Sequence, residues 1–330
     1  MKRAAIFCPG RGAYTKRARK SLPEDHPLVT RAEELRKEYG LPSLLELDQA
    51  RRWESAVQLR PDNVSPLIYV MSMIDAGEAM REYDAVCVGG NSMGWYTALG
   101  VAGALSFDDG FRLVQEMALL QMEFTDGGQV LYPLIDEQWR IDPAQVRRVD
   151  TALASSDGEA FPSIALGGYA VLAGSEAGVE HLLEALPFVE MGPQFFPMRL
   201  AQHGPYHTSL LQGVAAKARR QLERLAFRAP RVTLVDGTGA RFTPWSTDAA
   251  ELMAYTLGKQ IVSPFSFTAC VRAALREYAP ERIVLPGPGN TLGGTIGQIL
   301  VMEGYRGIRS RDDFERAQEG DTPVVWSMRR

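Results

Sequence analysis

The 330-residue sequence predicts an α/β protein whose mostly parallel sheet is interrupted by a small α+β insertion. Three observations carry this. Short apolar runs ending in glycine or proline alternate with segments of helical period, the pattern of a parallel sheet with crossover helices. The alternation changes character near Gly127-Gly128 and resumes near residue 201. Hydrophobic residues make up 45% and charged residues 23% of the chain, ordinary for a globular protein with material for a sizeable core.

In order, residues 3–8 ("RAAIFC") read as a short buried strand stopped by the turn-forming "PGRG". Charged amphipathic stretches follow at 28–39 and 43–58, then a mostly buried helix at 65–82. "YDAVCVGG" (83–90) is a buried strand ending in glycines. "SMGWYTALGVAGAL" and "SFDDGFRLVQEMALLQMEF" are two helices, the second with Ser106 as N-cap and Asp108 and Asp109 in its first turn.

Within the insertion the expected order is strand (129–135), helix (143–154), two strands (163–174), helix (176–186) and strand (195–200). This β-α-β-β-α-β order is the ferredoxin-like unit. Beyond it come a helix (208–225), a strand (231–237), helices near 248–258 and 264–277, a strand (282–289) and a helix (291–302). The polar tail "SRDDFERAQEGDTP" reads as peripheral. The domain reading is thus a core of 1–127 and 201–330 around an inserted subdomain at 128–200.

A net charge of −4 gives no basic excess for nucleic acid. Cys8, Cys87 and Cys270 are widely spaced, match neither a disulfide framework nor a zinc site, and read as buried thiols in a reducing compartment. The N-terminal apolar run is too short for a signal-peptide core, and no run of 18 apolar residues occurs. The expectation is a soluble cytoplasmic protein with no membrane partner and no metal.

Gly90-Asn91-Ser92-Met93-Gly94 fits G-x-S-x-G, with the strand before and helix after that a nucleophile elbow requires. Flanking glycines permit the tight turn that presents a hydroxyl. The helix N-terminus behind it offers free N–H groups and a positive dipole end to a developing oxyanion. Without that context Ser92 would read only as a small residue in a crowded turn.

A serine nucleophile needs a base, and the chain has four histidines. His26, before a proline in a charged loop, and His181, on a surface helix, read as solvated. His203 and His207 share "AQHGPYHTSLL", a strand-to-helix turn suited to a base. More than 120 residues follow His207, unlike the chain order of a lipase-type hydrolase, whose histidine lies near the C-terminus.

These pieces resemble the malonyl-CoA:acyl-carrier-protein transacylase family and the related acyltransferase domains of polyketide synthases. "FCPGRG" resembles the family's F-P-G-Q-G opening, and "GGNSMGWYTALGVAGALSFDDGFRLV" its serine block. "GPYHTSLL" resembles its histidine loop, "YTLGKQIVSPFSFTACV" its Q-l-x-x-P segment, and "LPGPGNTLGG" its G-P-G-k-x-L-x-G signature. The resemblance covers residues 3–303 and implies an α/β-hydrolase-like core. It implies Ser92 as nucleophile, His207 as base, and the Gln260 backbone carbonyl orienting the imidazole. Backbone N–H groups of Arg11 and Met93 would form the oxyanion hole. The implied activity moves an acyl group from acyl-CoA through a Ser92 acyl-enzyme to the pantetheine thiol of an acyl carrier protein, with no cofactor. The oligomeric state is open in the sequence, a monomer being the simplest reading.

The departures fall on the acyl pocket, assigned to Met117, Asn91, Tyr206 and Ala165. Met117 stands 25 residues past Ser92, where the family has an arginine that forks onto the malonyl carboxylate. Methionine favours an apolar acyl tail instead. Arg112, more than one turn earlier, reads as structural. Arg11 replaces a glutamine and reads either as a surface guanidinium whose backbone alone matters or as a relocated clamp for a carboxylate or a CoA phosphate. Asn91 replaces the family histidine beside the nucleophile, Ala165 a hairpin asparagine, Ser65 a glutamine and Asn290 a lysine. Trp95 reads as part of a closed apolar lip. An acyl-thioester hydrolase using the same dyad, and a binding protein without catalysis, are the alternatives.

Overall fold

The structure, a computed structural model, describes residues 1–124 and 126–329. β1 (Lys2–Cys8) is followed by helices Pro27–Glu38 and Pro61–Glu82, β2 (Tyr83–Gly90), and helices Gly94–Val101 and Phe107–Glu123. Ser106 caps the last of these, accepting from the Asp109 N–H at 3.1 Å, with Asp108 and Asp109 in the first turn. The insertion holds β3 (Gly128–Pro133), helix Pro143–Ala154, β4 (Ala160–Leu166), β5 (Tyr169–Gly174), helix Glu176–Ala185, β6 (Val189–Met191), β7 (Gln194–Phe196) and β8 (Met198–Arg199). Helix Gln212–Gln221, β9 (Leu234–Val235), β10 (Arg241–Phe242), helix Ala249–Ala254 and β11 (Phe265–Ser266) come next. Helix Phe267–Tyr278, β12 (Arg282–Leu285), helices Thr291–Glu303 and Arg311–Ala317, and β13 (Val325–Ser327) complete the chain.

The larger sheet has the order β10-β9-β2-β1-β12-β13 and is parallel except for β10. The smaller has the order β11-β4-β5-β3-β8. Its four insertion strands are mutually antiparallel neighbours with the first and third in the middle, the arrangement a β-α-β-β-α-β chain gives. They enclose a separate core of Val130, Tyr132, Val149, Leu172, Leu182 and Phe196. β11, from outside the insertion, pairs in parallel with β4 and couples the two sheets.

Several elements differ from the sequence reading. The strand expected at 195–200 is broken into the end of β7 and the short β8, and β7 pairs back through a turn at Gly192 (φ 57°) with β6, which the sequence reading lacks. β9 is shorter than expected because Asp236 folds back at once, its carboxylate accepting from the Thr238 and Ala240 N–H groups. The helix expected at 208–225 opens with a 3₁₀ turn and closes at Gln221.

The tail is not peripheral. Helix Arg311–Ala317 sets Phe314 against Trp139 of the insertion, and the nearby apolar run supplies β13 to the larger sheet beside β12. Arg329 then closes on the buried Asp75 carboxylate at 2.7–3.0 Å. All three cysteines are buried and free. Among the described residues no helix is long and apolar enough to cross a membrane.

For the site, one register matters most. β1 and β2 run side by side so that Cys8 pairs with Gly90. The loops leaving the two strands, Pro9–Arg11 and Asn91–Met93, therefore start from the same edge of the sheet.

Candidate active site

Ser92 occupies the turn between β2 and helix Gly94–Val101 with φ 53°, a left-handed conformation uncommon outside glycine. The turn is possible because its flanks lack side chains. A Cβ on Gly90 would run into the Gly94 carbonyl, and one on Gly94 would lie 2.8 Å from the Cys8 carbonyl carbon and 2.9 Å from the Pro9 carbonyl oxygen. The Asn91 N–H donates to the Cys8 carbonyl at 3.0 Å, binding the elbow to the end of β1. Strain of this kind persists where the surroundings fix it.

Ser92 Oγ lies 2.8 Å from His207 Nε2, and His207 Nδ1 lies 2.7 Å from the Gln260 carbonyl oxygen. A carbonyl only accepts, so Nδ1 carries the proton and Nε2 is left to accept from the serine hydroxyl. His207, itself at φ 61°, donates its backbone N–H to the Ile261 carbonyl at 3.0 Å. These two carbonyls are available because the helical run over 255–262 ends there. Residue 264, four on from Gln260, is a proline with no N–H to give. A π-turn over Tyr255–Lys259 precedes Gln260. The Gln260 side chain ties the two halves together, accepting from the Tyr96 hydroxyl at 2.8 Å and donating to the Ser92 carbonyl at 3.2 Å.

The insertion contributes a support that motif reading missed. Gln129 on β3 donates to Ser163 on β4 at 2.7 Å, and Ser163 donates to the Tyr206 carbonyl at 2.8 Å, holding the loop just before His207. The ring of Phe265 on β11 packs against the His207 imidazole, with centroids 5.2 Å apart. Only the alternation of strands at the insertion could have signalled this, because the contacts join segments far apart in sequence.

His207 is 1% exposed. Burial is the main cause lowering its pKa from 6.5 to about 4; the Gln260 carbonyl opposes this and the Arg11 charge adds to it. The imidazole is therefore neutral and able to accept a proton at pH 7. Acylation of Ser92 should keep its rate down to the region of pH 4, and a pH–rate profile bending at 6.5 instead would place the base elsewhere. Stability follows with a definite sign. The folded pKa lies below the unfolded one, so the unfolded chain takes up the proton first. Stability is full above pH 6.5 and falls as pH drops toward 4, by about 3 kcal/mol for this group. His203, also lowered well below 6.5 by burial and Arg11, acts in the same direction. Urea midpoints at pH 7.5 and 5.0 measure the fall.

The dyad opens into a cavity of about 1160 Å³. Val114, Met117 and Ala118 form one wall and Leu131, Ile164 and Val171 another. Residues of the β6–β7 hairpin, Trp139 and Arg311 also line it. Arg11, Asn91, Met93, Met117, Tyr206 and Gln260 all line this cavity, as do Ser65 and His203. The Arg11 and Met93 N–H groups donate no hydrogen bond among the described residues. A Cβ on Gly10 would come within 3.0 Å of the Asn91 carbonyl, so the two loops that carry these N–H groups are in contact.

Two residues fall elsewhere. Ala165 does not line the cavity: strand alternation turns its neighbours Ile164 and Leu166 inward and leaves Ala165 exposed on the other face. Trp95 is no lip. It is fully buried against Phe242 and Tyr255, and its indole N–H donates to Thr256 at 3.0 Å. Of the remaining residues, Arg112 pairs with Glu38 at 3.1 Å, and Asn290 precedes helix Thr291–Glu303 outside the cavity lining. His26 is not simply solvated but caps helix Pro27–Glu38, accepting from the Leu28 N–H at 3.1 Å.

A serine on a strained strand-to-helix turn, a neutral histidine fixed by a backbone carbonyl, and a large cavity between two sheets define a serine acyl-transfer architecture. No protein-family model matches the chain. It is 29% identical over 264 residues to the polyketide biosynthesis protein ThaF of Burkholderia thailandensis, covering 76% of this chain but 21% of that protein, so the chain spans about a fifth of that relative's length. It is 24% identical over 308 residues to the malonyl CoA-acyl carrier protein transacylase of Haemophilus influenzae, covering 91% and 93% of the two chains. The fold matches the crystal structure of an acyl carrier protein S-malonyltransferase from Vibrio cholerae with a TM-score of 0.72 at 22% identity, over 91% and 94% of the chains. In sequence and in fold the chain is similar to malonyl-CoA:acyl-carrier-protein transacylases.

Proposed function

We propose that the protein is an acyltransferase that carries an acyl group from a CoA thioester to the pantetheine thiol of an acyl carrier protein. The observation that carries this reading is the relay from Ser92 Oγ through the His207 ring to the Gln260 carbonyl, at 2.8 and 2.7 Å, at the head of an open cavity.

In the first half-reaction Ser92 Oγ attacks the thioester carbonyl carbon while its proton passes to His207 Nε2. The oxyanion is received by the N–H groups of Arg11 and Met93. The C–S bond breaks, and the leaving CoA sulfur takes the proton from His207. In the second half the carrier thiol gives its proton to His207 and its sulfur attacks the Ser92 ester. The Ser92–acyl bond breaks, and Oγ recovers the proton. One thioester is consumed and one formed, so the balance needs no further co-reactant. With Met117 in place of a cation on the Phe107–Glu123 helix, acyl selection departs from the family pattern.

Hydrolysis of the same acyl-enzyme is the second reading. It is favoured by Asn91, whose buried Oδ1 has no hydrogen-bond partner beside Ser92 and could hold a water. Intact-mass spectrometry after mixing with a panel of acyl-CoAs tests both. The expected result is one acyl adduct on the wild type and none on Ser92→Ala. Holo-carrier protein should discharge the adduct about 100-fold faster than water does. Faster discharge by water would make the protein a hydrolase, and no adduct with any thioester would make it a non-catalytic binding protein.

A further inference from the structure

We propose that Tyr96 is a positioning residue whose hydroxyl, acting through the Gln260 side-chain amide, aims the Met93 N–H at the reacting carbonyl. The proposal rests on the acyl-enzyme reading of Ser92 and adds a residue to its machinery.

The bonds that carry this are short in number and buried. Tyr96, Gln260 and His207 are all buried. The Tyr96 hydroxyl lies 2.8 Å from Gln260 Oε1 and has no other hydrogen-bond partner among the described residues. From its other arm the amide donates through Nε2 to the Ser92 carbonyl at 3.2 Å. Chemistry sets the direction of both bonds. A backbone carbonyl only accepts, so the amide turns its NH₂ to Ser92 and its oxygen to Tyr96. The phenol is then the donor, and burial raises its pKa above the ordinary value, so it keeps that proton. A reversed amide would set two oxygens against each other at Ser92. The Tyr96 hydroxyl therefore selects one of the two amide orientations.

The Ser92 carbonyl belongs to the same planar peptide unit as the Met93 N–H, and across a trans peptide the two point in opposite directions. Whatever holds the carbonyl therefore sets the direction of the N–H. Two donors hold it, the Trp95 N–H at 3.0 Å and Gln260 Nε2 at 3.2 Å. The first belongs to the elbow's own turn. The second comes from a segment 168 residues further along the chain. Support from outside matters here because Ser92 is held at φ 53°. The Met93 N–H donates to nothing among the described residues, so no bond of its own restrains it. A donor on the carbonyl also polarises the peptide and strengthens its N–H as a donor.

Gln260 thus serves both halves of the chemistry. Its backbone carbonyl accepts from His207 Nδ1 at 2.7 Å, while its side chain acts on the oxyanion donor. Two neighbouring bonds join helix Gly94–Val101 to the run that carries Gln260. The Trp95 indole donates to Thr256 at 3.0 Å, and the Thr256 hydroxyl passes on to the Leu252 carbonyl at 2.8 Å. That path ends in the helix it started from and reaches neither member of the dyad. The Tyr96 path continues through Gln260 to Ser92. The first bond fastens two elements together, and the second orients a reacting group.

The test is single-turnover acylation of Ser92 by acetyl-CoA and by malonyl-CoA. Wild type, Tyr96→Phe, Gln260→Leu, the double variant and Thr256→Val are compared, with thermal melts to establish that each is folded. In Tyr96→Phe the maximal rate should fall about 10-fold at an unchanged half-saturating concentration, because the N–H acts in the transition state. The infrared stretch of an isotope-labelled acyl-enzyme carbonyl should move to higher frequency, the sign of weaker polarisation by the oxyanion donors. In the Gln260→Leu background Tyr96→Phe should add no further loss, since the amide it acts through is gone. Thr256→Val should lower Tm and leave rate and stretch in place.

An unchanged maximal rate in Tyr96→Phe overturns the proposal. So does a full further loss on top of Gln260→Leu, or a change confined to the half-saturating concentration. An equal rate loss in Thr256→Val overturns it as well, because any lost tie between the two elements would then suffice. If Tyr96→Phe does not fold, Gln260→Leu decides, and a wild-type rate and stretch there overturn the proposal. Failure of every thioester to label Ser92 in the wild type would instead sink the acyl-transfer reading itself.

Discussion

His207→Ala should lower kcat/KM for acyl transfer by about 10³-fold, whereas His203→Ala should keep at least about a tenth of the wild-type rate. The two histidines are four residues apart in one loop, and composition does not separate them. Their hydrogen bonds do. His207 is held at both ring nitrogens, by Ser92 Oγ at 2.8 Å and the Gln260 carbonyl at 2.7 Å, so its tautomer and direction are fixed. His203 has a buried Nδ1 with no partner and cannot act as an oriented base toward Ser92. Truncating His207 removes the proton acceptor and leaves the Gln260 carbonyl facing a void. Truncating His203 removes part of the cavity wall near Arg11. The check is steady-state transfer measured at saturating carrier protein, with far-UV circular dichroism to establish that both variants are folded. The reverse ranking would move the base one turn along the loop and overturn the assignment.

The elbow was readable from sequence because its requirements are local. Five consecutive residues, a strand before and a helix after, dictate where Ser92 points. The order of the insertion was readable for the same reason, since each strand and helix announces itself by its own period. What failed to show was non-local or depended on parity. Ala165 was placed on the cavity side, yet in a strand an error of one position reverses the face. Trp95 lies on a helix buried along its whole length, so no polar side existed to indicate direction. The tail 310–323 read as polar and peripheral because Phe314 is its one large apolar residue, and the partner ring, Trp139, lies far away in the sequence. The role of Gln260 came from resemblance. Its physical basis, a proline four residues on that frees the carbonyl, is visible in the sequence only once the helix end is known.

Gly94→Ala should destabilise the fold by about 3 kcal/mol and abolish acylation, while Gly77→Ala should stabilise it by about 0.5–1 kcal/mol. The same methyl group is added in both cases. At Gly77, on the exposed face of helix Pro61–Glu82, a Cβ meets nothing within 4 Å, and alanine simply restricts the unfolded chain. At Gly94 the Cβ would collide with backbone at the end of β1, where the Cys8 and Pro9 carbonyls stand. Backbone in the middle of a parallel sheet cannot turn aside as a flexible side chain could. Relief requires β1 and the elbow to separate. That separation pulls the Pro9–Arg11 loop away from Asn91–Met93, so the N–H groups of Arg11 and Met93 no longer face a common point. Loss of function should therefore exceed what unfolding explains. The folded fraction of Gly94→Ala, measured by urea titration at 10 °C, should still fail to acquire an acyl adduct. If that fraction is labelled at the wild-type rate, the close approach of β1 to the elbow is not what assembles the site.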